Sequence, residues 1–245
     1  MKRLLLCVVC VLLSGCGTPL VATPAPTPQA ISIFYPASLK PWADKLANCA
    51  TDSPALALYF FQGTNLEAST ALKEIDLVLG QPPKVGTGSS LYQVGWEQLV
   101  VIVNKENSLA KLTADLLRQI FSGKVDHWQK STSQSIQVWV LPEGEPTRQV
   151  FEQGLGSEGL LAPNAKLAPD PLAVLKMVAE DENAIGYLPR TYISDPSSPD
   201  ASHVKTVELD QALEQAFHQP VIAITKGEPT TLERNLLACI QTTSP

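Results

Sequence analysis

Short apolar runs alternate along the chain with stretches in which apolar residues recur at helical spacing, and this order predicts strands interleaved with helices. Short, mainly apolar runs typical of buried strands lie at 31–35, 55–61, 75–79, 99–103, 136–141, 184–188, 204–208 and 220–225. Stretches with helical spacing of apolar residues lie at 39–49, 65–73, 113–122, 146–153, 171–182 and from 230 onward. This order predicts an α/β fold with mostly parallel sheets.

Several helix ends carry recognisable boundary residues. Asp170 precedes Pro171, which is the pattern of an N-cap followed by proline at the first helical position. Thr230 has Glu233 three residues later, the spacing of a capping box. We expect Gly154 to end the helix that begins at residue 146.

The N-terminal residues have the pattern of an export signal. Lys2 and Arg3 precede an apolar run at 4–13, which is too short to span a membrane because spanning takes about 20 residues. The run ends in Leu-Ser-Gly-Cys, which resembles the bacterial lipobox and implies a lipid on Cys16. An ordinary cleaved signal with a chance cysteine is the alternative.

These features divide the chain into three parts. We expect a signal peptide over 1–15, then lipidated Cys16 with a Pro-rich tether reaching residue 30, and a folded domain over 31–245. The lipid would hold the exported protein at the outer face of the bacterial cell membrane.

The remaining cysteines suggest a cross-link. Apart from Cys16 and two cysteines in the signal peptide, the chain contains only Cys49 and Cys239. Each lies on the apolar face of a predicted helix, and an exported protein meets oxidising conditions. We predict a disulfide that joins the first and last helices; two buried thiols are the alternative.

Composition and motifs exclude several classes of function. The net charge of −6 and the pI near 5.1 are unlike those of a nucleic-acid-binding protein. The three histidines are scattered without the spacing of zinc ligands, and there is no Gly-x-Ser-x-Gly nucleophile motif. We expect no metal site, no cofactor and no enzymatic activity.

The segment 99–128 carries a specific resemblance. It contains a buried strand ending in Val-Asn, a Leu-Thr helix start, an Ile-Phe-Ser-Gly turn and Trp128, and Asn-Ala-Ile-Gly-Tyr follows at 183–187. In these motifs the chain resembles the phosphate-binding proteins of bacterial ABC transporters and their wider family. Phe121 and Trp128 are interpreted as core or lobe-packing residues.

The resemblance implies the fold. We expect a two-lobed α/β fold of the periplasmic-binding-protein type II class, with mixed sheets flanked by helices and lobes joined by hinge strands. Lobe one would contain about 31–103 and 189–245, and lobe two about 104–188. Solute would bind in the cleft between them.

The resemblance also implies candidate ligand residues in lobe one. Ser38, with Leu39 after it, occupies the place of a small hydroxyl residue at the first helix. Thr64 and Asn65 occupy the turn after the second strand. Gln81 is the nearest match to the family's aspartate after the third strand, so the proton-acceptor basis for phosphate selectivity is lost. The hydroxyl residues are equally well interpreted as helix caps.

In lobe two the sequence departs from the family pattern. Leu141 replaces the family arginine, Glu145 a serine and Pro146 a glycine, while Thr147 keeps its identity. Pro146 removes a backbone donor, and Glu145 adds negative charge where an anion should lie. Arg148 compensates only if its side chain turns into the cleft.

Two functions follow from the sequence. The first is a monomeric solute-binding lipoprotein that presents phosphate or a related oxyanion to an ABC permease. The alternative is a divergent lipoprotein of the same fold that has lost oxyanion binding and acts as a sensor, a scaffold or a binder of another solute. In that case the Glu145 carboxylate imitates an anion at the helix N-terminus, and Glu145→Ser should create anion affinity.

Overall fold

The computed structural model describes residues 28–51, 53, 55–64, 72–128, 135–156, 161–194 and 198–242. Its strands are β1 Gln29–Pro36, β2 Leu56–Gly63, β3 Ile75–Leu79, β4 Ser90–Asn104, β5 Lys111–Leu112, β6 Gln137–Val140, β7 Lys166–Leu167, β8 Ala184–Pro189, β9 Val204–Thr206, β10 Glu208–Leu209 and β11 His218–Thr225. Its α-helices are α1 Lys40–Ala50, α2 Ala114–Phe121, α3 Pro146–Leu155, α4 Pro171–Glu180, α5 Thr191–Ser194, α6 Gln211–Ala216 and α7 Thr231–Thr242. The turns Ala37–Leu39 and Pro199–His203 are 3₁₀-helical.

The strands form two groups that share β4. The first group has the order β2-β1-β3-β11-β4, and the second continues as β4-β8-β6-β7, with β9 also paired to β4. Pairs among β1, β2 and β3 and among β6, β7 and β8 are parallel, whereas β4 and β11 run antiparallel to their neighbours. We call the first group, with α1 and α7, lobe one, and the second, with β5, β10 and α2–α6, lobe two. The fold is thus the expected two-lobed α/β class with mixed sheets.

The chain crosses between the lobes twice within the described residues, at neighbouring points. Gln98 of β4 pairs with His218 of β11, but Leu99 pairs with Pro189 of β8. The return crossing lies beside it, where the N–H of Leu99 donates to the carbonyl of Phe217 at 2.9 Å.

The lobe boundaries therefore differ from those expected from the sequence. Residues 99–103, expected in lobe one, pair with β8 in lobe two. Residues 199–216 were also expected in lobe one, but β9 pairs with the Asn104 end of β4 and β10 pairs with β5. The reason is that β8 does not lead directly back to lobe one; the chain adds β9, β10 and α6 to lobe two first.

Predicted helix boundaries are largely confirmed, with one correction. Asp170 accepts the N–H of Ala173 at 2.8 Å, and the N–H of Thr230 donates to Glu233 at 2.6 Å. Gly154, however, does not end α3. A Cβ there would lie 2.6 Å from the Phe217 ring, so this glycine permits close packing. The helix ends at Gly156, which adopts a left-handed conformation with φ of 57°.

An aromatic cluster fills the centre of lobe two. Phe151 of α3 stacks on Tyr187 of β8 with ring centroids 3.8 Å apart, and Phe121 and Phe217 pack around this pair. Phe121 is buried, as the core interpretation requires. Asn104 stabilises the same lobe, because its side-chain amide donates to the carbonyls of Val178 and Ala179 at the end of α4.

A disulfide joins Cys49 of α1 to Cys239 of α7, with the sulfurs 2.06 Å apart. It connects the first and last helices of lobe one, which is the cross-link predicted from the sequence. The predicted lipid site Cys16, the tether up to residue 27 and most of the predicted helix 65–73 lie outside the described residues. No helix of the described chain is both long and apolar enough to cross a membrane.

Asp76 of β3 is a carboxyl group buried at the start of its strand. Its Oδ1 accepts the N–H of Lys73 at 2.9 Å, while Oδ2 has no hydrogen-bond partner within the described chain. Burial raises the pKa of Asp76 from 3.8 to about 6. The folded protein therefore binds this proton more tightly than the unfolded chain. The resulting stabilisation is full below about pH 4 and is lost as the pH rises through about 6.

Asp76→Asn should remove this pH dependence. A shift of about two pKa units corresponds to about 3 kcal/mol in full, of which about 2.4 kcal/mol is lost between about pH 4 and pH 7. The free energy of unfolding should therefore fall by about 2.4 kcal/mol more in the wild type than in the variant over this range. Denaturant titrations across this range measure the difference. Glu106→Gln, which alters an exposed carboxylate, is the control and should keep the wild-type slope. Equal slopes for wild type and Asp76→Asn would contradict the effect of burial.

Candidate functional site

Three candidate residues of lobe one follow strands that end at the same edge of the sheet. Because β2, β1 and β3 are parallel, their carboxyl ends lie together, and Pro36 of β1 pairs with Gly63 of β2. Thr64, Ser38 and Gln81 follow these ends directly or within two residues. This is the edge at which open α/β sheets bind ligands.

The facing elements of lobe two follow the same rule. The parallel strands β6 and β8 direct the loop after β6 toward the cleft, and this loop leads into α3. Gly144 has φ of 85°, a conformation that favours glycine and turns the chain into the helix. Glu145 is the N-cap residue of α3, yet its side chain makes no capping bond to that helix.

The Glu145 carboxylate reaches across the cleft instead. The backbone N–H of Ser38 donates to Oε1 of Glu145 at 2.9 Å. Glu145 is only 4% exposed, so this hydrogen bond is shielded from water. A donor of lobe one thus holds an oxyanion supplied by lobe two.

A second bond between the lobes acts on the same turn. The Tyr192 hydroxyl donates to the carbonyl of Ala37 at 2.5 Å. Tyr192 lies in α5 of lobe two, and Ala37 directly precedes Ser38. The turn at 37–38 is therefore held from lobe two through both its carbonyl and its N–H.

Two buried hydroxyls belong to the segments that make this contact. Ser38 and Thr147 have no exposed surface, and neither Ser38 Oγ nor Thr147 Oγ1 has a hydrogen-bond partner within the described chain. Each hydroxyl can donate one hydrogen bond. Thr147 also lies in the first turn of α3, where backbone N–H groups have no intrahelical acceptor. We call Ser38, Glu145 and Thr147 the interlobe site.

The charge around the interlobe site is negative. Burial raises the pKa of the Glu145 carboxyl, the nearby hydroxyl and backbone N–H of Ser38 oppose this by stabilising the charged form, and the nearby charge of Asp170 raises the pKa further. Burial likewise raises the pKa of Tyr192, so its hydroxyl remains protonated and serves as a donor. Asp170 caps α4, a position that the sequence revealed without indicating its closeness to Glu145.

Arg148 does not supply the missing positive charge in this structure. Its Nε donates to Glu152 at 2.7 Å, and its Nη1 donates to the carbonyl of Leu141 at 3.1 Å. Both contacts keep the guanidinium on its own helix and the preceding loop. The Arg148 side chain is not turned toward Ser38 and Glu145, so it does not compensate for the missing family arginine.

The other candidates lie around the interlobe site. The side chain of Leu39 is fully buried in the hydrophobic core and leaves only its backbone for a ligand. Thr64 is half-buried, Gln81 is exposed, and Asn65 lies outside the described residues. Asp76 lies near the start of β3, whereas Gln81 follows the end of this strand. Asp76 therefore cannot take the place of the aspartate that the family has after its third strand.

Sequence reasoning missed Glu97, which bonds to both lobes at the first crossing. Its Oε2 accepts from Nε1 of Trp42 at 2.9 Å and from Oγ1 of Thr191 at 2.8 Å, and the group is 2% exposed. Thr191 belongs to lobe two, so Glu97 forms another bond between the lobes. The three residues are far apart in sequence, which left no local signal.

The described residues contain no group of three or more His, Cys, Asp or Glu arranged to hold a metal ion. The interlobe site offers hydroxyl, backbone N–H and carboxylate groups instead. Such groups form hydrogen bonds with polar partners.

Two α/β lobes with buried polar groups that meet at their boundary are thus the features that the fold and the site define. A family model described as a PBP superfamily domain matches residues 80–223, more than half of the chain. The chain belongs to the PBP superfamily.

A relative found by sequence comparison agrees with this family assignment. The phosphate-binding protein PstS of Bacillus subtilis (strain 168) is 26% identical over 157 residues, which cover 60% of this chain. The matched part spans 50% of that relative, about half its length.

Solved structures share the fold at low sequence identity. A protein assigned to phosphate ABC transport from Clostridium perfringens, solved with bound phosphate, has a TM-score of 0.71 and 20% identity, covering 86% of this chain and 93% of its own. An ABC-type phosphate transport receptor from Vibrio cholerae has a TM-score of 0.62 and 16% identity, covering 87% and 93%. The regulatory domain of an OxyR2 variant from Vibrio vulnificus has a TM-score of 0.62 and 12% identity, covering 88% and 97%.

Proposed function

We propose that this protein is an extracytoplasmic solute-binding lipoprotein that holds phosphate or a related oxyanion between its lobes for an ABC permease. The main support is the backbone N–H of Ser38, which donates a buried hydrogen bond to a carboxylate at 2.9 Å. A solute oxyanion could accept a hydrogen bond from the same N–H. The buried Thr147 hydroxyl, which has no partner within the described chain, supplies a further donor, and the buried Ser38 hydroxyl lies close enough to the Glu145 carboxylate to stabilise its charge. Phosphate as the solute is supported by the names of the relatives.

The remaining parts of the proposal concern location and assembly. The lipobox-like sequence ending in Cys16 supports a lipid anchor at the outer face of the cell membrane. The transporter relatives support an ABC permease as the partner. The protein acts as a monomer, since one chain supplies both lobes and the cleft. It has no catalytic function in this proposal.

The Glu145 contact also favours a second candidate function. A carboxylate that permanently occupies the Ser38 N–H leaves no donor there for an external anion, and Pro146 contributes no N–H. A protein of this kind keeps the fold but has lost oxyanion binding, and it acts as a sensor, a scaffold or a binder of another solute.

Thermal unfolding in the presence of single solutes separates the two candidates. The panel contains phosphate, sulfate, molybdate, sugars, amino acids and inorganic cations. A ligand at about 100 times its dissociation constant stabilises a protein by about 2.7 kcal/mol, which raises the midpoint by roughly 5–10 °C for a domain of this size.

The first candidate predicts a shift with phosphate or another tetrahedral oxyanion that grows with concentration and is absent with sugars. No shift with any anion up to about 10 mM would overturn it in favour of the second candidate. Thr147→Val is the matched variant, because it removes the buried hydroxyl while keeping a similar shape. It should reduce the phosphate shift.

A further inference from the structure

The environment of Glu145 is that of a bound ligand more than that of a helix cap. An N-cap side chain normally accepts an N–H from the first turn of its own helix, and Asp170 does so at the start of α4. Glu145 holds the equivalent position on α3 without such a bond. Its carboxylate oxygen accepts from Ser38 of the other lobe instead.

The placement matches that of an anion between two lobes. The carboxylate is enclosed, with Glu145 only 4% exposed, and it meets the edge of lobe one where the strands β1, β2 and β3 end. The Ser38 hydroxyl of lobe one lowers the pKa of this carboxyl, and Thr147, in the first turn of the helix that follows Glu145, carries a buried hydroxyl without a partner within the described chain. An external oxyanion bonded to Ser38 would occupy the same place.

We propose that Glu145 is an intramolecular ligand of the interlobe site, which closes the lobes in the absence of solute and leaves Ser38 when a solute oxyanion enters. The closing role is inferred from the contact between Glu145 and Ser38 and does not require an external solute. The displacement rests on the proposed function, because it requires an external oxyanion. Two negative groups cannot share one donor without strong repulsion, so the solute and the carboxylate compete.

The expected consequence for the solute-free protein is a change in the balance of open and closed lobes. A buried hydrogen bond to a charged acceptor shifts such an equilibrium by about tenfold to a hundredfold. Glu145→Ala should therefore populate an open arrangement to a greater extent than the wild type does, although the bonds of Tyr192 and Glu97 between the lobes remain. Glu143 lies two residues earlier in the same loop and is exposed, so Glu143→Ala is a matched control with the same loss of charge.

Distances between spin labels on the two lobes test the closing role. Labels are attached to cysteines introduced at the exposed positions Lys176 in α4 and Asn235 in α7, in oxidised protein whose N-terminal cysteines up to Cys16 are replaced by serine, so that no other free thiol takes the label. Without solute, the wild type and Glu143→Ala should give one narrow distance distribution, and Glu145→Ala a broader distribution that differs from it. Identical distributions for Glu145→Ala and wild type would overturn the proposal.

Two further arms keep the test decisive. Glu145→Gln preserves the side-chain shape and a neutral acceptor, so it should fold even if Glu145→Ala does not, and it should open less than Glu145→Ala because a neutral acceptor binds an N–H more weakly. If Glu145→Ala does not fold, a Glu145→Gln protein with the same distance distribution as the wild type would overturn the proposal.

Added phosphate should return Glu145→Ala to the wild-type distance. If Glu145→Ala opens but phosphate does not return it to this distance, the proposed oxyanion function is refuted and the closing role of Glu145 remains intact.

Discussion

Replacing Glu145 by serine should raise the affinity for phosphate by about three orders of magnitude. Two like charges 4 Å apart repel by about 4 kcal/mol at an effective dielectric constant near 20, and about 1.4 kcal/mol corresponds to a factor of ten in the dissociation constant. The substitution removes the carboxylate that now accepts the Ser38 N–H, and it adds a hydroxyl donor at the start of α3.

Titration calorimetry of wild type and Glu145→Ser at one fixed pH and salt concentration measures the change. Glu143→Ser is the matched control: it also replaces a loop glutamate by serine, but Glu143 is exposed and screened by solvent. Its affinity should change by less than about tenfold. Equal affinities of Glu145→Ser and wild type would contradict competition between Glu145 and the solute.

Removing the disulfide should give the largest loss of stability of any substitution considered. Cys49 and Cys239 are separated by 190 residues in sequence, so the cross-link closes a long loop in the unfolded chain. Loss of that constraint typically costs about 3–5 kcal/mol for a loop of this length. The double variant Cys49→Ser, Cys239→Ser should lose about this much free energy of unfolding.

Denaturant unfolding with and without reductant provides the comparison. Reduced wild type should approach the stability of the double variant, while reductant should leave the double variant unchanged. A difference of less than about 1 kcal/mol between oxidised wild type and the double variant would show that the cross-link does not stabilise this fold.

Local signals explain why many elements could be predicted from the sequence. The capping box of Thr230 with Glu233 and the N-cap at Asp170 act within one helical turn, so residue identities alone define them. The pairing of Cys49 with Cys239 followed from counting cysteines and from the apolar faces on which they lie.

Non-local pairing explains the errors in the fold. The first half of β4, residues 90–98, was missed because it lacks the continuous apolar run of the other strands and contains Gly95. It forms a strand by pairing with β11 more than 100 residues later. The placement of residues 199–216 in lobe two depends on β9 pairing with β4, which no local pattern reveals.

The interlobe site was only partly visible in the sequence. An acidic residue at the start of α3 was evident, and so was its conflict with anion binding. That its carboxylate would bind Ser38 depends on how the lobes close, since the two residues are 107 positions apart. The contributions of Tyr192 and Glu97 depend on the same closure, because each bonds to the other lobe.

The backbone amide of Ser38 tests the central claim most directly. Its ¹H–¹⁵N resonance can be followed while phosphate is added to wild type and to Glu145→Ser. If oxyanions bind at the interlobe site, this resonance should move with the bound fraction in both proteins, at lower phosphate concentration in the variant. A Ser38 resonance that stays fixed in both proteins while phosphate reaches about 10 mM would contradict oxyanion binding at this site.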